Sequence, residues 1–164
     1  MYVRMKRTII EQLKAWKESL YRKPLILSGA RQVGKTYILQ EFGKQEYDHV
    51  AYINCDGNSE IANIFAEDYD MKRVLMVIGA ISKQPIIPGK TLIILDEIQE
   101  LHKGLSSLKY FCENAPEYHV AVAGSLLGLP CTKENPPQWE RLTSFASTLC
   151  LSKSFLWQKT KNSC

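Results

Sequence analysis

The chain has 164 residues, 45% of them apolar and 23% charged, with a formal net charge of +4 and five cysteines. That length predicts one domain able to bury close to ~70% of its unfolded surface, and the composition excludes a disordered or collagen-like chain. The longest unbroken apolar run, Val74 to Ile78, is far short of the ~20 residues a membrane-spanning helix needs, so no membrane partner is expected.

In chain order, Met5, Ile9, Leu13, Trp16 and Leu20 fall three and four apart and predict an amphipathic helix over residues 1–22. Lys6, Arg7, Lys14, Lys17 and Glu18 take its other side; such a basic face could touch DNA, a weakly supported partner, but with acidic residues mixed in a solvated face is the reading. Only Ile9 and Ile10 follow Arg4, Lys6 and Arg7 before Glu11 interrupts, so no secretory signal is expected. The run Pro24 to Ser28 reads as a buried strand. Residues 35–42 read as a helix with Gly43 as its C-terminal cap. Val50 to Asn54 is a second strand. Ser59 is expected to cap a helix through Phe65, and Asp70 another through Ser82. Pro85 and Pro88-Gly89 mark a loop. Thr91 to Leu95 is a third strand, apolar from Leu92 and so expected to be buried on both faces. Leu101, Leu105, Leu108, Phe111 and Cys112 give another helical face, and a fourth strand spans residues 119–124. Strands alternating with helices predict a parallel sheet with helices on both faces.

After the first strand the sequence reads Gly29-Ala30-Arg31-Gln32-Val33-Gly34-Lys35-Thr36, which fits GxxxxGK[ST]. Gly29 and Gly34 permit backbone angles closed to other residues. Such a P-loop turns successive N–H groups inward and forms an anion nest at the start of the next helix. Lys35 is expected to reach the β- and γ-phosphates, and the Thr36 hydroxyl to ligate Mg2+. Arg31 can contact phosphate, a neighbouring subunit or solvent.

Leu92 to Leu95 delivers Asp96 and Glu97 to the C-terminal end of a buried strand, where open parallel sheets bind ligands. Asp96 is the candidate Mg2+ residue. Glu97 is the candidate for polarising a water against the γ-phosphate, a pairing that favours hydrolysis over phosphoryl transfer to a small molecule. No NKxD sequence points to guanine. The fourth strand is expected to lie between the two motif strands. Ser125 at its end would then either orient the attacking water or be an ordinary turn serine.

GARQVGKT, LIILDEIQ, SLKYFCENAPEYHV and AGSLLG, in this order and spacing, resemble the prokaryotic AAA-type P-loop ATPases whose core is followed by a nuclease-like domain. The resemblance implies a three-layer α/β fold of the AAA (ASCE) type and ATP binding with Mg2+ and hydrolysis. It carries the phosphate-loop role to residues 29–36, metal and base roles to Asp96 and Glu97, and a γ-phosphate-sensing role to Ser125. It also implies possible homo-oligomers.

The pattern is expected to stop after Leu129, dividing the chain into a helix (1–22), an AAA-type core (23–129) and an unpatterned tail (130–164). The tail holds five Lys/Arg, two Asp/Glu and three of the five cysteines, so the rest is nearly neutral. With no CxxC pair or His cluster, neither a zinc site nor a disulfide framework is implied, and reduced cytoplasmic thiols are the reading. Codons can be chosen for Pro130 to Gln158 such that a one-base shift restores a family-like continuation. The tail is therefore expected to be read out of frame, which sequencing the gene checks. That would leave the sheet incomplete beside the first strand and deprive the site of a lid and any partner arginine. Two alternative functions follow: a truncated fragment that binds nucleotide weakly or not at all, and a small-molecule kinase.

Overall fold

Strands and helices alternate in the computed structural model, which describes residues 2–28, 32, 34–67, 70–101 and 104–124. The order is α1 (Tyr2–Glu18), β1 (Leu25–Ser28), α2 (Lys35–Glu46), β2 (His49–Asn54), α3 (Ser59–Glu67), α4 (Met71–Ser82), β3 (Thr91–Asp96), a 3-10 turn (Ile98–Glu100), α5 (Gly104–Asn114) and β4 (His119–Gly124). The four strands run parallel in the order β1-β4-β3-β2. As expected from sequence, β4 lies between the two motif strands, with Ala121 opposite both Leu25 and Ile94.

Strand alternation builds two apolar layers, because successive side chains point to opposite faces. Leu92 and Ile94 join Leu25, Leu27, Ala121 and Ala123 against α1 and α2. Ile93 and Leu95 join Ile26, Val120 and Val122 against α3, α4 and α5. All six residues of β3 are buried, and so are all six of β4. This is a three-layer α/β fold of the P-loop type.

Several local expectations are corrected. Gly43 does not cap α2; it lies inside the helix, which runs on to Glu46 with Tyr47 as its C-cap. The reason is packing: a Cβ at Gly43 would stand 2.7 Å from Val50 Cγ2 and 3.2 Å from Leu92 Cδ2. The missing side chain lets α2 lie close over the sheet, where β4 also presents the small Ala121 and Ala123. Ser59 is the first residue of α3, and Asn58 caps it instead, its side chain accepting from the Ile61 N–H at 3.2 Å. Asp70 caps α4 as expected, accepting from the Lys72 N–H at 3.0 Å.

On α1, Ile9, Leu13 and Trp16 are buried, but Leu20 lies past the helix end and is 97% exposed. Leu101 is buried just ahead of α5 rather than on it. The Met5 and Leu105 side chains fall outside those described. So do Gly29, Ala30, Arg31, Val33, Ser125 and the whole tail.

Candidate functional site

The described parts of the two motifs meet at the C-terminal end of the sheet. Gln32 and Gly34 both have left-handed backbone angles, φ 62° and 87°. Gly34 is the N-cap of α2 and no side chain caps it, so the first turn keeps N–H groups for another acceptor. A side chain at Gly34 would strain that φ, although there is open space around it. Lys35 is buried at the first helical position.

One turn of α2 carries Thr36 to β3. Its hydroxyl donates to Asp96 Oδ2 at 2.6 Å, across 60 residues of sequence. The Asp96 carboxylate is almost fully buried and receives two more hydrogen bonds. The Tyr52 hydroxyl donates to the same Oδ2 at 3.1 Å, and the Glu97 N–H donates to Oδ1 at 3.1 Å. A buried carboxylate needs such partners, because an unpaired one carries a large desolvation cost. Burial pushes the Tyr52 hydroxyl up to about 12, and the adjacent Asp96 charge adds to the effect. Burial and Asp96 likewise raise the Cys55 thiol to about 12. Both therefore stay protonated at neutral pH and serve as donors or packing groups, not as nucleophiles.

Glu97 stands where the chain leaves β3. It has a left-handed φ of 52° and begins the 3-10 turn, accepting the Glu100 N–H at 3.0 Å. Its Oε2 accepts a hydrogen bond from the side-chain amide of Gln99. Gln99 in turn lies against the end of β4, where a Cβ at Gly124 would collide with its Oε1.

Among the candidates, the structure thus brings Thr36 of α2 onto Asp96 at the end of β3, with Glu97 next to it, Lys35 as the first residue of α2 and Gln32 on the loop before it. Tyr52 and Gln99 were not anticipated. No sequence signal marked Tyr52: its place opposite Ile94, on the side of the sheet that α2 covers, is set by the parallel register. For Gln99 the only signal is its place two residues after Glu97.

Residues 21–145 match the family described as an AAA domain. The chain belongs to that family. The match starts after α1 and reaches past Leu129. As an AAA domain the chain has a nucleotide-binding role, and ATPases of this family generally use ATP with Mg2+ and commonly oligomerise. Among solved structures, C. elegans PCH-2 is similar to this AAA domain at 13% identity and a TM-score of 0.46. The alignment covers 79% of this chain and 38% of PCH-2, so the chain spans well under half the length of that protein. No curated protein matches it. No described helix is long and apolar enough to cross a membrane, and no group of three or more His, Cys, Asp or Glu that could hold a metal by itself occurs among the described residues.

Proposed function

We propose that this AAA domain binds ATP with Mg2+ and hydrolyses it. The observation that carries this is the 2.6 Å contact between Thr36 and Asp96, which brings the P-loop hydroxyl and the strand-end carboxylate to one point. The donor set fits the ion: a hydroxyl and a carboxylate are hard oxygen ligands, and Mg2+ takes few protein ligands beside phosphate and water. In this reading Thr36 and Asp96 hold Mg2+, which when bound neutralises charge on the β- and γ-phosphates.

Residues 29–34 supply backbone N–H groups to the phosphates, and Lys35 pairs with the β- and γ-phosphates. Glu97 orients a water toward the γ-phosphorus. The water oxygen forms the new P–O bond and its proton passes to Glu97. The bond to the β,γ-bridging oxygen breaks and its electron pair leaves with ADP. Ser125 would sense the γ-phosphate from the end of β4.

Phosphate release without any acceptor, measured together with binding of a fluorescent ATP analogue, tests the proposal. Lys35→Ala should weaken nucleotide binding. Glu97→Gln should leave binding intact while lowering turnover by roughly 10² or more. Variants that turn over like the parent overturn the catalytic reading. Binding without turnover in the parent supports the fragment alternative, and turnover only with an added acceptor supports the kinase.

Self-association through the AAA-type core is part of the proposal, and sedimentation with and without nucleotide tests it. The basic side of α1 lends no support to a DNA partner, since Lys14 and Lys17 both pair with Glu46, at 2.9 and 3.4 Å.

A further inference from the structure

We propose that Gln99 is a positioning residue for Glu97: its side-chain amide holds one carboxylate oxygen and leaves the other for the reacting water. The inference rests on the proposed role of Glu97 and adds to it a residue that neither motif requires. Three observations converge on it. The Gln99 Nε2–H donates to Glu97 Oε2. Glu97 has a φ of 52°, a conformation that a non-glycine residue keeps only when its surroundings hold it there. Gly124 leaves room for the Gln99 amide where any Cβ would collide with Oε1 and lie 3.4 Å from Cδ.

The third point is the most specific. Gly124 lies in a strand and has no left-handed φ that would call for glycine. An alanine there would suit the backbone, as Ala121 and Ala123 do in the same strand. The space beside Gly124 is taken by Gln99. The amide is thus wedged between the end of β4 and the Glu97 carboxylate, and the orientation of the carboxylate depends on the end of the strand that leads to residue 125. A carboxylate fixed at one oxygen loses a rotational freedom that would otherwise have to be lost in the transition state.

Gln99→Met keeps the length of the side chain and its packing on Gly124 but removes the donor. Gly124→Ala displaces the side chain from the other direction. In the full chain, single-turnover hydrolysis should fall roughly tenfold or more in both variants. Equilibrium affinity for a non-hydrolysable ATP analogue and the melting temperature of Gln99→Met should match the parent. In the double variant Glu97→Gln with Gln99→Met, the rate should fall no further than in Glu97→Gln alone, because a residue acting through Glu97 has nothing left to orient. If Glu97→Gln is impaired while Gln99→Met hydrolyses like the parent, the inference fails and the proposed function stands. Losses that add in the double variant, or an analogue affinity that falls along with the rate, would also overturn it. If Glu97→Gln itself behaves like the parent, the proposed function falls first and this inference with it.

Discussion

Tyr52 and Thr36 share a single oxygen of Asp96, and their contributions differ in kind. Thr36 comes from the P-loop helix, whereas Tyr52 comes from a neighbouring strand and holds Asp96 from the side of the sheet. Tyr52→Phe removes that hydroxyl with little change in shape. It should raise the Mg2+ concentration needed for half-maximal nucleotide binding by roughly 10-fold, the scale for losing a group that orients a metal ligand. A Mg2+ titration with fluorescent ATP measures this, and an unchanged midpoint counts against the role. At Gly43 the expected effect is on stability. Gly43→Ala gains helix propensity of about 1 kcal/mol. It must also push Val50 away from a 2.7 Å contact, and overpacking of this kind costs about 1–3 kcal/mol. Net destabilisation in urea unfolding is expected. At this scale the motif spacing made Thr36, Asp96 and Glu97 legible as residues that the fold brings to one end of the sheet; the phosphate and metal roles given to them and to Lys35 are part of the proposal. Tyr52 and Gln99 were not legible, because their roles depend on which side chains meet across the sheet, and no local pattern records that.

The docking of α1 shows the same division at the level of elements. Its buried face, Ile9, Leu13 and Trp16, was legible from helical spacing, and it packs on the layer that contains Leu39 and Phe42 of α2. What closes the connection to β1 was not legible. Trp16 Nε1 donates to the Lys23 carbonyl at 2.8 Å, and the Arg22 guanidinium donates to the Lys17 carbonyl. Trp16 also meets the His119 ring edge-on at 6.1 Å, and Tyr47 Oη stands 2.7 Å from His119 Nδ1. Burial lowers His119 to about 4, with the Arg22 and Lys17 charges acting the same way. Burial also raises the Tyr47 hydroxyl, so it donates to a neutral imidazole. The pH dependence follows in sign. The folded value lies below the ordinary 6.5, so the unfolded chain binds more protons between the two values. Stability is therefore complete above about 6.5 and is lost as pH falls from there toward about 4. Urea midpoints across that range should drop more steeply in the parent than in His119→Asn; equal slopes would contradict the assignment. For α4, Asp70→Ala should cost about 1 kcal/mol by removing the cap bond to Lys72. Boundaries were the least legible feature: α2 continues through Gly43 because close packing, not helix termination, selects the glycine.

For the molecule as a whole, strands alternating with helices and the apolar run Leu92 to Leu95 predicted a parallel sheet with helices on both faces, and the phosphate loop after β1 predicted the place of β4. Among the described residues β1 stands at the sheet edge, with β4 as its neighbour. Nucleotide links the site to the fold. A ligand at a hundred times its dissociation constant stabilises the folded state by about 2.7 kcal/mol. For a chain of this size that corresponds to roughly 5–10 °C in Tm. MgATP should produce such a shift in the parent, chelating Mg2+ should remove most of it, and Lys35→Ala should abolish it.

β4 runs from one end of the described sheet to the other. Its first residue, His119, meets the Tyr47 and Trp16 side chains, and its last, Gly124, seats Gln99 beside the proposed nucleotide site. The strand is about 17 Å long at ~3.3 Å per residue and is hydrogen-bonded on both sides. A pull that separates α1 from the strand tips would run along this axis and load both ladders in shear, so that their bonds share the strain instead of opening one after another. Held at those two points in a force spectrometer, the domain should give way at a higher force than when pulled across the sheet.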